Sequence, residues 1–265
     1  MAKAIADGTS NINVMAAQFG AEVYALDVGM ATDVEGVPRK KTAYGTANIT
    51  KGAAMTAEQA QAAVCAGMDV VCALAERGCD IIVTGEMGIG NTTTTAALAS
   101  VLLNRPVEEM TGRGAGLDNA GLSRKISVIK RAIEVNKPDR EKPLELLAKL
   151  GGFDIAGMAG LFLGGAVCRV PVVIDGVVSA VAAAIAAAIA PKCRAYMLPS
   201  HVSEEPAGKA LLQRLGLKAP ISAGLRLGEG TGGILLLPLL DGALAVYNSA
   251  HKFDDLPMER YTEQI

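Results

Sequence analysis

The chain has 265 residues, 51% of them apolar and only 3% aromatic, with 30 glycines and no tryptophan, so alanine and glycine must carry the packing. Twenty-five basic side chains against 27 acidic ones leave a net charge of -2, which gives no electrostatic reason for nucleic acid or an anionic membrane as partner. Five scattered cysteines with no C-x-x-C pair read as free thiols of a reducing compartment, which points to the cytoplasm.

The length predicts one domain over residues 1–265, and no repeat or low-complexity linker divides it. The start, MAKAIADGTSN, lacks the apolar core of a signal peptide. TSNINVMAAQFG (Thr9–Gly20) follows a helical pattern before any recognisable strand, so the chain opens in the middle of an α/β architecture. AEVYALDVG (Ala21–Gly29) is the first apolar run bounded by a breaker and reads as a strand. A helix follows over Ala57–Gly78, with Thr56 and Gln59 as a capping box and Gly78 as the stop. Cys65, Cys72 and Cys79 recur along it every seven residues and read as one buried face rather than a ligand set.

CDIIVTG (Cys79–Gly85) is the next strand, and GEMGIGNTTTTAAL follows it. Its opening is the P-loop pattern G-x-x-x-x-G-x-T with Asn91 where the phosphate-binding lysine belongs. A helix starting near Thr92 offers free N–H groups to a phosphate without any lysine, which suits one monophosphate better than a triphosphate. Glu86 would repel a phosphate, so it reads as a partner for ribose hydroxyls or for a cationic ring. The plain alternative is an ordinary strand–turn–helix connection.

TGRGAGLDNAGLSRK (Thr111–Lys125) does not match the dinucleotide fingerprint; it is either a flexible connection or, with Arg113 and Lys125, a loop that closes over an anion. A helix spans about Asp118 to Val135, and NKPDREKPLE (Asn136–Glu145) reads as a surface connection. VPVVIDG (Val170–Gly176) is a third strand, with Asp175 at its end either meeting a sugar hydroxyl or capping the next helix. The helix Val177–Ala190 stops at Pro191; with Gly176 it forms an alanine-rich run too short to cross a bilayer core of roughly 30 Å. CRAYMLPS (Cys193–Ser200) is the fourth strand, and SHVSEEP after it offers Ser203 as a polar contact. His201 and His251 have no Cys or carboxylate at ligand spacing, so no metal site is expected. In RLGEGTGGILLLPLL, Glu229 is either an exposed turn residue or a buried carboxylate suited to a general base. Strands alternating with helices predict an α/β fold: a doubly wound parallel sheet flanked by helices.

Seven blocks tie these loops together: GTANIT with AMT, GEMGIGNTT, GRGAGLD, GGFDIAGMAG, VPVVIDG, HVSEEP and LRLGEGTG. In that order, over almost the whole chain, they resemble the nicotinate-nucleotide:dimethylbenzimidazole phosphoribosyltransferase family. The resemblance implies transfer of phosphoribose from nicotinate mononucleotide to an aromatic base of the benzimidazole type, with no cofactor and no metal. It implies Glu229 as general base and Glu86 as the second active-site carboxylate. Gly88, Gly90, Asn91, Thr92, Gly112, Arg113, Gly114, Lys125, Asp175, Gly176, Ser203 and Leu227 would hold the substrate. Family members extend further at the front, with a strand and loop that help enclose the acceptor base, so the small helical subdomain is expected to be incomplete at the N-terminus. The family is dimeric, which implies a homodimer or a pairing with a longer homologous subunit, no nucleic acid and no membrane. Two other readings stand beside this one: a weakly active or non-catalytic subunit, and a P-loop-derived kinase, which Asn91 disfavours.

Overall fold

The computed structural model describes residues 1–249, so His251 lies outside the described residues. In chain order the elements are α1 (Ala2–Ala6), α2 (Asn11–Gln18), α3 (Ala57–Glu76), β1 (Ile82–Val83), α4 (Asn91–Leu103), α5 (Val107–Met110), α6 (Asn119–Asn136), α7 (Pro143–Leu150), α8 (Phe153–Cys168), β2 (Val172–Ile174) and α9 (Val177–Ile189). A 3-10 turn (Pro191–Tyr196), β3 (Met197–Pro199), α10 (Ala207–Leu215), α11 (Thr231–Ile234) and α12 (Leu236–Tyr247) complete it. The strands form one parallel sheet in the order β1-β2-β3, with Ile82 opposite Val172 and Val172 opposite Met197. The expected parallel α/β architecture is present with a smaller sheet than the four apolar runs suggest.

The run that did not become a strand is Ala21–Gly29. It is extended, but its single bridge pairs Asp27 with Arg39. Asp27 accepts the N–H groups of Gly29 and Met30 at 3.0 and 2.8 Å, which turns the chain before a ladder can grow. Its apolar side chains pack on helices instead, Ala21 and Val23 against Ile12, Ala16 and Ile234.

Helix α3 starts where its capping box predicts, with the Gln59 N–H donating to Thr56 Oγ1 at 3.1 Å and the Thr56 N–H to Gln59 Oε1 at 2.9 Å. It packs along α8 so closely that the two backbones touch. A methyl on Gly67 would lie 2.0 Å from the Gly157 carbonyl oxygen, and one on Gly160 would lie 2.0 Å from that of Val64. The cysteine expectation fails here. Cys65 is exposed and Cys72 and Cys79 are part-exposed, because the buried stripe runs through Val64, Gly67 and Val71, about 100° of helical turn away from Cys65. Cys72 Sγ instead lies 2.9 Å from Cys168 Sγ at the end of the seam.

Helix α9 is buried on all faces from Val177 to Ala186, which accounts for the longest apolar run by core packing. Among the described residues, no helix is long and apolar enough to cross a membrane. The main core gathers α3, α4, α8 and α9 around residues such as Phe162, Leu98 and Ile185. A second, much smaller core joins α2 to α11 through Ile12, Ala16 and Ile234.

Candidate active site

All three strands point their carboxyl ends the same way. Thr84–Glu86 leave β1, Asp175 and Gly176 leave β2, and Ser200 and His201 leave β3. The turn Gly228–Thr231 lies across the first two ends. Gly85 makes this approach possible, since a methyl there would lie 2.6 Å from the Glu229 carbonyl oxygen. The Glu229 N–H donates to the Glu86 carbonyl oxygen at 3.3 Å.

Asp175 holds this turn in place. It is 4% exposed, its Oδ1 accepts the Gly233 N–H at 2.7 Å and its Oδ2 accepts the Gly230 N–H at 3.3 Å. Burial raises its pKa, while these backbone donors and His201 oppose the shift. Of the two readings of Asp175, the structure shows a capping contact. Both carboxyl oxygens serve the turn that carries Glu229, and the helix it caps is α11, not the next one in sequence. Gly176 has His201 as its nearest neighbour, 3.9 Å from a methyl built there.

Glu229 is 7% exposed, and its Oε2 is buried without a hydrogen-bond partner. Its φ is +61°, a left-handed conformation in which a non-glycine residue is strained. Glu229 thus combines backbone strain with an unpaired buried acceptor oxygen. Leu227 beside it is 61% exposed.

Glu86 stands across from this turn, with Oε1 3.2 Å from where a methyl on Gly228 would be. Its pKa is pushed up to about 7, first by burial and then by the negative charges of Asp154 and Asp175; hydrogen bonds from Asn91 and Gly88 oppose the shift. The Asn91 carboxamide donates to Glu86 Oε2 and also to Asp154 Oδ2, the latter at 2.7 Å. This is the task of the residue that replaces a P-loop lysine: it bridges two carboxyl groups. Gly88 leaves room for the bridge, since a methyl there would lie 2.3 Å from Asp154 Oδ2.

One residue along, the surroundings change sign. Thr92 Oγ1 accepts from Lys125 Nζ at 2.9 Å, and the same ammonium donates to the Gly112 carbonyl oxygen at 3.0 Å. Lys125 is 6% exposed; burial lowers its pKa, and Glu205 opposes the shift. Gly114 closes over this group, with Lys125 Nζ 3.5 Å from a methyl built there, and its N–H donates to Glu205 Oε1 at 3.0 Å. Ser203 Oγ accepts the Glu205 N–H at 3.3 Å and so supports that carboxylate from behind. Gly90, at φ +85°, sets the start of α4 at Asn91, one residue before the expected Thr92.

The structure thus brings Glu86, Gly88, Asn91, Asp175 and Glu229 into one acidic group, and Thr92, Gly112, Gly114 and Lys125 into an adjoining one in which Lys125 is balanced by Glu205. Arg113 departs from expectation: its guanidinium turns into its own loop, donating to the Leu117 carbonyl oxygen at 2.7 Å and to Asn119 Oδ1 at 2.6 Å. Asp154 and Glu205 are site residues that reading by local motif missed. Asp154 is the second residue of a glycine-rich helix, and Glu205 stands in HVSEEP beside the more obvious Ser203. Among the described residues, no group of three or more His, Cys, Asp or Glu side chains is arranged to hold a metal ion.

Comparison with known proteins gives the same picture from outside. A family model described as phosphoribosyltransferase matches residues 1–256. The chain is 49% identical over 251 residues to the nicotinate-nucleotide–dimethylbenzimidazole phosphoribosyltransferase of Desulforudis audaxviator, covering 94% of this chain and 71% of that protein. It is 43% identical over 260 residues to the enzyme of the same name from Acetivibrio thermocellus, covering 97% and 74%. The crystal structure of the enzyme of that name from Thermus thermophilus superimposes with a TM-score of 0.86 at 36% identity, over 93% of this chain and 74% of that one.

Proposed function

This chain belongs to the nicotinate-nucleotide–dimethylbenzimidazole phosphoribosyltransferase family, and on that premise we propose that it transfers phosphoribose from nicotinate mononucleotide to 5,6-dimethylbenzimidazole or a similar base, giving α-ribazole 5′-phosphate and nicotinate. The leaving group is a pyridinium that departs as a neutral pyridine ring, so the C1′–N bond breaks without a proton being donated to it. The attacking imidazole nitrogen becomes positive as the new C1′–N bond forms, and the ring's other N–H must then lose its proton. One base in a water-poor site meets that need.

Glu229 takes that proton. The observation that carries this assignment is its strained, buried carboxyl group, with Oε2 left open and the backbone bolted to Glu86. Glu86 faces the ribose, accepting from its hydroxyls, and the Asn91 bridge fixes its direction. The 5′-phosphate lies in the adjoining group, against Lys125 and Thr92 beside the Gly112–Gly114 loop, where it competes with Glu205 for the Gly114 N–H. Phosphate and reacting carbon are thereby gripped by two different loops, which holds C1′ in line with the incoming nitrogen.

The test is incubation with nicotinate mononucleotide and a panel of benzimidazoles, purines and phenols, read as nicotinate release. Turnover with a benzimidazole supports the proposal. Binding and hydrolysis of Mg·ATP with no nicotinate release would favour a kinase instead.

The proposal extends to assembly and setting. Helix α12 leaves Leu239, Leu244, Val246 and Tyr247 between 51% and 85% exposed. Apolar side chains on one helix at that exposure favour association, as a homodimer or with a homologous subunit, and light scattering reads it directly. All five cysteines are free thiols, which suits the cytoplasm.

A further inference from the structure

The sequence-derived site contains Glu86 and Glu229 but gives no role to the carboxylate that shares a hydrogen-bond donor with Glu86. Asp154 is the second residue of α8, and its Oδ1 accepts its own helix's Ile155 N–H at 2.9 Å. Its Oδ2 takes one hydrogen of the Asn91 carboxamide at 2.7 Å, and Glu86 Oε2 takes the other. Asn91 is the first residue of α4. The link therefore ties the loop that carries Glu86 to the ends of two helices, one of which packs backbone to backbone on α3. The space is built for it, because a methyl on Gly88 would meet Asp154 Oδ2 at 2.3 Å and Asn91 Nδ2 at 2.6 Å.

We propose that Asp154 is a positioning residue for the phosphoribosyl transfer: acting through the Asn91 carboxamide, it fixes the Glu86 carboxyl group against the turn that carries Glu229. This rests on the reaction proposed above. An amide has two hydrogens and a fixed plane. With one hydrogen spent on an acid anchored to a helix, the other can aim in only one direction, and Glu86 must meet it there. Without Asp154 the carboxamide is free to rotate, and Glu86, which sits on a loop, loses its fixed direction toward the ribose.

Asp154 also acts by charge. The charged groups that act on Glu86 are Asp154 on α8 and Asp175 after β2, both acidic; Glu229 in the adjoining turn meets it through its backbone N–H, and the side-chain donor, Asn91, is neutral. Removing one of these negative charges makes ionisation of Glu86 easier.

Three proteins decide the matter: the unaltered chain, Asp154→Ala and Asp154→Asn. Asp154→Ala should lower kcat roughly 10²-fold, the scale of a misplaced active-site group, with the KM for nicotinate mononucleotide changed less than about threefold. Asp154→Asn keeps an acceptor oxygen for Asn91 and should recover at least about tenfold of that loss, while the acidic limb of its kcat/KM profile moves to lower pH. A carboxyl 13C titration of Glu86 needs no turnover, and its midpoint should fall in Asp154→Asn. An unmoved midpoint overturns the proposal, as does loss of activity that only tracks loss of folded protein on melting. An unaltered chain that releases no nicotinate with any base, while the Glu86 midpoint still falls in Asp154→Asn, sinks the reaction and leaves the coupling standing.

Discussion

Glycine serves opposite ends in two regions of this molecule. In the α3–α8 seam, Gly67 and Gly160 bring together backbones whose polar groups are already paired inside their helices. Close approach there adds dispersion contacts and leaves nothing unsatisfied. At the strand ends, Gly85 and Gly88 bring loops and side chains together, and that approach leaves polar groups to be settled. Asp175 is settled by the α11 turn and Asp154 by Asn91, but Glu229 Oε2 is not settled at all. The seam should therefore report in stability and the loops in turnover, and each substitution below asks whether the two regions separate in that way.

The largest effect belongs to the seam. Gly160→Ala puts a methyl 2.0 Å from the Val64 carbonyl oxygen, on a helix face that cannot yield without parting α3 from α8. Overpacking of that kind should cost about 3 kcal/mol or more, seen as a lower melting temperature. Turnover per folded molecule should stay near normal, since Gly160 lies about 9 Å along α8 beyond Asp154. A variant that melts normally would show that the seam is looser than its contacts imply.

Glu229 should behave in the opposite way. Glu229→Gln should leave nucleotide binding nearly intact and lower turnover by about 10²-fold or more, the usual worth of a general base. Glu229→Gly goes further, because glycine occupies φ +61° without strain and removes the unpaired oxygen. It should abolish turnover and still leave the chain as stable as before or about 1 kcal/mol more stable. A destabilised Glu229→Gly would mean that the carboxylate is structural after all.

Gly88→Ala tests the bridge between the regions. Its methyl would displace Asp154 Oδ2 or the Asn91 carboxamide, so turnover should fall by roughly tenfold. Combined with Asp154→Asn the losses should not add, because both act on one link.

These contrasts also explain what could be read in the sequence. Three of the four expected strands are real, and the remaining run, Ala21–Gly29, ends in the same kind of breaker but is turned by Asp27 within the run. Helices α3 and α9 were legible from a capping box and from breakers, and α6 from its pattern. Helix α8 was not, since Gly157, Gly160, Gly164 and Gly165 lower its helix propensity, and only tertiary contacts show why two of them are needed: the α3 backbone lies against Gly160 and Gly164. The site was legible as four loops, and the blocks in order named the family. What remained hidden were relations across the chain: Asp175 serving a turn 55 residues later, and Asn91 reaching Asp154. Local spacing carries no trace of either.

Two smaller effects sharpen the contrast further. In the loops, Glu86 should make stability depend on pH. Its pKa rises on folding from 4.5 to about 7, so its contribution is fully present below about pH 4.5 and is lost as the pH rises through 7. Against Glu86→Gln, the unaltered chain should lose up to about 3 kcal/mol across that window. Parallel melting curves for the two proteins would mean that Glu86 is better solvated than its burial implies.

In the seam, the corresponding group is the Cys72–Cys168 pair, whose sulfurs lie 2.9 Å apart where α3 and α8 are held at backbone contact. Oxidation by a diazene such as diamide, which takes up the two thiol hydrogens, should join them with little movement and consume two of the five thiols. The crosslink closes a long loop across the α3–α8 seam, so the melting temperature should rise. Turnover should change by less than about twofold, because Cys168 ends α8 while Asp154 begins it, some 21 Å away at about 1.5 Å per residue. A crosslinked protein that loses activity would show that α8 transmits strain from the seam to the site and that the two regions are not independent.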